Sequence, residues 1–220
     1  MADFPFDCVG FDLDGTLVDS AGDLAAAVNH ALAAAGREPV SVAQVRGMIG
    51  GGARLMLQSA LRATGGDERL DELLPLLLDH YDAHIAVTTR PFPGAIDALD
   101  ALAAQGVTLA VVTNKREHFT TKLLGELGLL DRFATVISGD TIPGKAKPDP
   151  APIALMIARC GARCPAFVGD SIYDVAAAHA AGVPVALFSP GGSNAPGADA
   201  VFEDYAALVA TLTGLRRARA

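Results

Sequence analysis

The chain is poor in cysteine, in positive charge and in long apolar runs. Its three cysteines, Cys8, Cys160 and Cys164, are too few for a disulfide framework, so a reducing, cytoplasmic setting is expected. Cys160 and Cys164 could supply half a zinc site, but no second pair completes it, and two plain thiols are the simpler reading. Lysine and arginine number 17 against 25 aspartates and glutamates, a formal net charge of −8. No basic stripe is available to displace counterions, which argues against nucleic acid as the main partner. An anionic ligand would need a local positive site: a metal ion, a lysine or a helix N-terminus. No apolar run reaches the ~18 residues that a membrane-crossing helix requires, so no membrane span is expected. The opening MADFPFD lacks a basic stretch followed by an apolar one, so no secretory leader is expected. Internal repeats and low-complexity segments are also missing.

What is present suits a globular core. The composition is 51% hydrophobic, and 220 residues allow one large domain or one domain carrying a smaller one. Cys8–Leu13 reads as a short buried strand. A helical tract follows, with Leu24, Val28, Ala31, Leu32 and Ala35 on one face and Gly36 as its stop. Further helices are expected over Val42–Met48, over Ala53–Ala63 and across 67–87, where Pro75 would kink or open the helix. Beyond RPFPG (90–94) helices and strands alternate. Helices are expected over Ala95–Gln105, Arg116–Leu127, Pro152–Cys160 and Tyr173–Ala181. Strands are expected over 107–113, 134–138, 166–170, 183–188 and near 200–202, before a last helix. SPGGSNAPG (189–197) reads as a loop and the final LRRARA as a frayed, solvated tail. The alternation implies an α/β fold, a parallel Rossmann-like sheet with helices on both faces. An all-helical block, residues 16–87, would interrupt an α/β core formed by 1–15 and 88–220.

Residues 11–20, FDLDGTLVDS, end the first strand in two carboxylates one residue apart, Asp12 and Asp14. Each raises the cost of ionising the other, so either both are solvated or a cation sits between them. In a parallel sheet, sites form at the carboxyl ends of strands. Reading those ends yields Asp12-Leu13-Asp14-Gly15-Thr16, then Thr113-Asn114-Lys115, then GDTIPGKAKPDP with Lys145 and Lys147, then Gly169-Asp170-Ser171 with Asp174 close behind. Oxygen ligands without His or Cys suit Mg²⁺. A carboxylate beside Mg²⁺ can attack phosphorus, and a second can act as general acid and then base. A lysine and Thr113 can hold the phosphoryl oxygens.

These motifs resemble the signature of the haloacid dehalogenase superfamily: DLDGT (12–16), Thr113, Lys147 in KPDP, and GDSIYD (169–174), in that order over essentially the whole chain. DGTLVDSAGDL, RPFPGAIDALDAL, LAVVTNK, KPDPAP and FVGDSIYD are most similar to bacterial phosphoglycolate phosphatases. The resemblance implies a Mg²⁺-dependent phosphomonoesterase with an aspartyl-phosphate intermediate, acting on a small phosphorylated metabolite such as 2-phosphoglycolate, with an all-helical cap inserted after the first motif. It implies Asp12 as nucleophile and metal ligand, Asp14 as acid/base and metal ligand through its carbonyl, Asp170 as metal ligand, and Asp174 as a ligand or its support. It implies Thr113, Asn114, Lys147 and the amides near Gly15 on the phosphoryl group. Dehalogenases lack the second aspartate, and phosphonate-cleaving relatives replace it and supply a cap lysine; residues 17–87 hold no lysine. Proton-pumping relatives carry a lysine where Gly15 stands. MIGGGARLML and AVTTRPFPG are also similar to relatives that hydrolyse N-acetylmuramic acid 6-phosphate, and hexose-phosphate mutases share both aspartates, so these readings stay open.

In the helical block, Gly50–Gly52 would let backbone approach a ligand, and Arg54 and the helix start after it would meet an anionic group; the alternative is a turn with Arg54 in solvent. No Gly-Lys-Ser/Thr follows, so this is not a nucleotide loop. His80 and His84 are read as a solvated helix face, and His30, His118 and His179 as structural. Asp19 and Asp23 would start the first inserted helix. Asp140 is either a loop acid or support for Lys147, and Ser171 serves either the metal-side carboxylates or simply the loop. Monomer and homodimer are equally compatible with the sequence.

Overall fold

The computed structural model describes residues 4–192 and 197–219. Six strands form one parallel sheet: β1 (Cys8–Phe11), β4 (Thr108–Val112), β5 (Thr135–Ile137), β6 (Pro165–Gly169), β7 (Val185–Phe188) and β8 (Ala200–Phe202). Their order is β5-β4-β1-β6-β7-β8. The chain builds outward from β1 through β4 to β5, then returns to the other side of β1 with β6. That reversal opens a crevice at the carboxyl ends of β1, β4 and β6, where such sheets bind ligands. The α/β class and the parallel sheet expected from the alternation are both present.

The strands are apolar on both sides because both faces are covered. Val9, Phe11, Leu109, Val111 and Val168 pack on one side with α5 (Ala95–Ala103), α6 (Glu117–Glu126) and α9 (Leu208–Arg219). Cys8, Ala110, Val112 and Phe167 pack on the other with α7 (Ala151–Cys160) and α8 (Ile172–Ala180). A side chain on Gly10 would meet Met156 Sδ at 2.3 Å and the Phe167 ring at 2.9 Å, so β1 passes only as glycine there. The last helix continues through Arg219, replacing the frayed tail expected at LRRARA; Leu208, Leu212 and Leu215 are buried and carry the helix along the sheet. Part of the 189–197 loop and the terminal Ala220 lie outside the described residues.

Four helices, α1 (Ala21–Ala34), α2 (Val42–Arg46), α3 (Ala53–Ala63) and α4 (Leu70–Ala83), lie between two short antiparallel strands, β2 (Val18–Asp19) and β3 (Arg90–Pro91). Pro75 falls inside α4, and α2 is shorter than the expected 42–48. Residues Leu57, Leu61, Leu73 and Leu77 are fully buried between these helices. His30, His80 and His84 stack in a column with ring centres 4.5 and 4.4 Å apart.

Asp23 stands in the first turn of α1, as expected, but its carboxylate does not serve the helix end. Its carboxylate crosses to the returning strand and accepts from Thr88 N at 2.9 Å, Thr88 Oγ1 at 2.6 Å, Thr89 N at 2.9 Å and Thr89 Oγ1 at 2.7 Å. The two linkers are thus clamped side by side. Burial opposes the charge, but the threonine donors outweigh it and hold the carboxyl below its usual range. A depressed folded value means that this stabilisation is complete above the unfolded value and is lost as pH falls through the folded one. Asp23→Ala should cost about 2 kcal/mol, because it leaves the two donors of buried Thr89 unpaired while those of exposed Thr88 can turn to water, and should shrink the loss of stability on acidification. Urea unfolding between neutral and acidic pH checks both; a variant as stable as wild type and equally acid-sensitive would remove the clamp.

Candidate active site

The first residue after β1 is Asp12, whose N–H donates to Val168 O of β6 at 2.9 Å. The chain then doubles back: Leu13 O accepts from Leu17 N at 2.9 Å and Val18 N at 3.0 Å, and Gly15 N donates to Val18 O at 2.9 Å. Gly15 has φ +85°, and a Cβ there would lie 2.4 Å from Asp170 Oδ2. Glycine is therefore demanded both by the turn and by the approach of Asp170. Thr16 Oγ1 donates to Asp170 Oδ1 at 2.8 Å, and Tyr205 from the end of the chain donates its hydroxyl to Thr16 O at 2.7 Å.

Lys147 is the hub. Its Nζ lies 3.0 Å from Asp12 Oδ1, 2.5 Å from Asp174 Oδ1 and 2.8 Å from Val112 O, with the side chain 1% exposed. Lys145 points outward and pairs with Asp149 at 2.7 Å. Asp174 uses its second oxygen to accept from Ser171 Oγ at 2.6 Å and Ser171 N at 3.0 Å. Both of its oxygens are engaged, so it braces the loop and the lysine. Ser171 serves that brace. Oxygens of Asp12, Asp170 and Asp174 lie within 4.8 Å of one another. Burial, with Asp174 adding and Lys147 opposing, pushes the Asp12 carboxyl up to about 6. Asp170 is raised well above its usual value by burial and by Asp174 and Asp12. Burial alone would lower Lys147, but the two carboxylates beside it outweigh that and raise it. Folding alone would not collect two buried carboxylates around one lysine with a third, half-buried, beside them.

Thr113, buried at the end of β4, and Asp12, Asp14 and Asn114 line a cavity of about 320 Å³ between the sheet edge and the inserted helices. Asn114, expected on the phosphoryl group, is occupied otherwise. It donates to Gly50 O at 2.8 Å and to Lys147 O at 2.9 Å, and accepts from Lys147 N at 2.8 Å. It pins the lysine backbone and ties the 49–52 loop to the core. Gly50 has φ +111°, and a Cβ on it would lie 3.1 Å from Ser171, so the glycines admit contact with the core as well as with any ligand. Arg54 lines the cavity rim, half-exposed, and pairs with Asp71 at 2.6 Å, a surface pair worth little. Asp140 accepts from Glu117 N at 2.8 Å, capping α6 rather than supporting Lys147.

Two contributors escaped the sequence reading. Lys115 lies at a strand end but was assigned no role; its Nζ is 2.6 Å from Asp14 Oδ2 with the side chain 6% exposed. Tyr81, on α4, places its ring 4.7 Å under that ammonium. Lys115 had a signal, its strand-end register; Tyr81 had none, because no pattern relates α4 to β4.

The model of haloacid dehalogenase-like hydrolases matches residues 9–188. The chain belongs to that family. Among haloacid dehalogenase-like relatives, a phosphoglycolate phosphatase of Agrobacterium fabrum is 42% identical over 211 residues, covering 92% of this chain and 90% of the relative. Phosphoglycolate phosphatase 1 of Pseudomonas aeruginosa is 43% identical over 191 residues, covering 83% of this chain and 69% of the relative. The crystal structure of a predicted phosphoglycolate phosphatase from Haemophilus somnus matches with a TM-score of 0.83 at 31% identity, over 94% of this chain and 97% of that one.

Proposed function

We propose that this hydrolase is a magnesium-dependent phosphomonoesterase that works through a phosphorylated Asp12 and converts 2-phosphoglycolate to glycolate and phosphate. One observation carries the reading. Asp12 Oδ1 is buried, accepts no hydrogen bond among the described residues, and sits beside the Lys147 ammonium where the cavity meets the sheet. A buried carboxylate oxygen that faces a lysine ammonium without a hydrogen bond, at the edge of an open cavity, is placed to act as a nucleophile.

The donor set fits a hard divalent cation. Asp12 and Asp170, with the carbonyl of Asp14, would hold Mg²⁺, and Asp174 would support them through Lys147 and Ser171. When bound, the ion supplies positive charge that offsets the carboxylate repulsion and draws in the anionic phosphoryl group. Asp12 attacks phosphorus as the ester P–O bond breaks, and Asp14 gives its proton to the departing oxygen. Asp14 Oδ1, buried without a hydrogen-bond partner among the described residues, is free for that proton. Water then attacks the phosphorylated Asp12, Asp14 takes its proton, and the bond between Asp12 and phosphorus breaks. Lys147 and Thr113 hold the phosphoryl oxygens as charge moves across them.

The relatives named above and the buried Lys115 ammonium in the cavity wall support a small anionic substrate. The helical block 16–87 would act as a cap hinged at the β2–β3 pair and exclude water over the core of 1–15 and 88–220. Three free thiols fit a cytoplasmic setting. A second reading, N-acetylmuramic acid 6-phosphate or another sugar phosphate, rests on the cavity volume of about 320 Å³, which exceeds the needs of glycolate. Phosphate release from 2-phosphoglycolate, N-acetylmuramic acid 6-phosphate, hexose and pentose phosphates and p-nitrophenyl phosphate, with magnesium and with chelator, tests both. Strong preference for 2-phosphoglycolate, abolished by chelator, is expected. Full activity in chelator would refute the metal role, and a preference for a sugar phosphate would move the substrate to the second reading.

A further inference from the structure

We infer that Lys115 and Tyr81 form the subsite that selects the leaving group, and that its ligand is a carboxylate one carbon away from the ester oxygen. The inference rests on the phosphatase reading and deepens it.

The ammonium of Lys115 is buried in the cavity wall and offers three donors, of which Asp14 Oδ2 at 2.6 Å takes one. Tyr81 is 2% exposed and lines the same cavity from the helical side, yet its hydroxyl has no hydrogen-bond partner among the described residues. Burial pushes this phenol up to about 12 against the opposing pull of the Lys115 ammonium beside it, so it keeps its proton and stands as a donor. A buried hydroxyl without a partner is costly and calls for an explanation. A buried lysine beside it supplies one: the pair presents N–H and O–H donors to an anion that the protein itself does not provide. Arg54, the cation expected for this task, lies at the rim and is already paired with Asp71.

Distance sets the position of the charge on the substrate. The acid/base must come within about 3 Å of the ester oxygen to transfer a proton. Lys115 holds the other oxygen of that same carboxylate at 2.6 Å. The ammonium therefore sits one carboxylate width and one hydrogen bond from the ester oxygen. A carboxylate on the adjacent carbon spans that gap; one carried across a sugar ring does not. Such a substrate shares the ammonium with Asp14 and satisfies Tyr81 on arrival. Because Tyr81 comes from α4 and Lys115 from the end of β4, the subsite is complete only with the helical block seated on the core.

The test compares 2-phosphoglycolate with 2-hydroxyethyl phosphate, which carries a neutral CH₂OH in place of the carboxylate. Wild type should favour 2-phosphoglycolate in kcat/KM. In Lys115→Met that preference should shrink about 100-fold, as expected for one partner of a buried charged contact, with the loss falling mainly on KM. Tyr81→Phe should shrink it about 5-fold, as for one hydrogen bond, and Lys115→Arg should recover part of it. Parallel losses on both substrates, with the preference intact, would overturn the inference and leave Lys115 as a positioning residue for Asp14. If Lys115→Met fails the check of thermal unfolding, Tyr81→Phe and Lys115→Arg decide: an unchanged preference in both overturns the inference. A wild type with no preference for the carboxylate would instead overturn the phosphoglycolate reading and this subsite with it.

Discussion

Asp12→Asn is expected to abolish phosphate release, by at least about 10⁴-fold, while leaving the fold in place. The size follows from the role: removing a nucleophile deletes the covalent route itself and leaves only binding and charge stabilisation behind. Stability should survive for local reasons. The backbone N–H of Asp12 still donates to Val168 O, and the amide has the carboxylate's shape. Among the described residues its Oδ1 accepts no hydrogen bond, and the Lys147 ammonium beside it keeps its contact with Asp174 when the Asp12 charge is removed. Burial and Asp174 already raise the free energy of the Asp12 charge, so its removal relieves repulsion within the cluster, a trade common at functional sites. Rapid-quench mass spectrometry should find one phosphoryl group on Asp12 in wild type at early times and none in the variant. Retention of more than about a hundredth of the wild-type rate would sink the nucleophile assignment, since single supporting donors account for losses of that size.

The core was legible because its signals are local. Each strand is an apolar run ending in polar residues, and β1 carries the DLDGT turn whose glycine the approach of Asp170 demands. Lys147 stands apart from Lys145 through the Pro-Asp-Pro that follows it, and it is the one buried in the cluster. What stayed illegible depends on contacts distant in sequence. Asp23 looks like a helix-start acid, yet its partners are Thr88 and Thr89, 65 and 66 residues away. Asn114 looks like a phosphoryl donor from its place after Thr113, yet its amide is spent on Gly50 and Lys147. The two-residue strands β2 and β3 are too short for any periodicity and exist because the linkers cross. Tyr81 reads as one more apolar residue on an amphipathic helix, and only the fold brings its hydroxyl to the cavity.

The connection from Gly50 through Asn114 to Lys147 bears on how the site is assembled. Asn114 holds the lysine backbone by two hydrogen bonds and the helical block by a third. Lys147 in turn holds Asp12 and Asp174. Seating the block and ordering the proposed nucleophile thus share one side chain, which fits the proposal that closure completes the reactive arrangement.

Lys147→Met should show how much of the site depends on that lysine. The substitution keeps most of the side-chain volume and removes the charge. Asp12 and Asp174 are then left buried without their cation, with half-buried Asp170 close by, and breaking a buried ionic contact in this way costs about 3–5 kcal/mol. The phosphoryl group loses a charged donor as well, so turnover should fall about 10³-fold. Magnesium offers a readout that separates the two effects. Any ligand held only by the folded state raises its stability, and in the variant a divalent cation would be the main remaining charge opposite the carboxylates. Thermal unfolding of Lys147→Met should therefore rise with added magnesium more steeply than that of wild type, while turnover stays low. Lys145→Met is the control: its exposed pair with Asp149 is worth about 0.5 kcal/mol at most, so stability should stay near wild type. Equal, small effects of the two substitutions on stability would show that the carboxylate cluster does not rely on Lys147 for its charge balance.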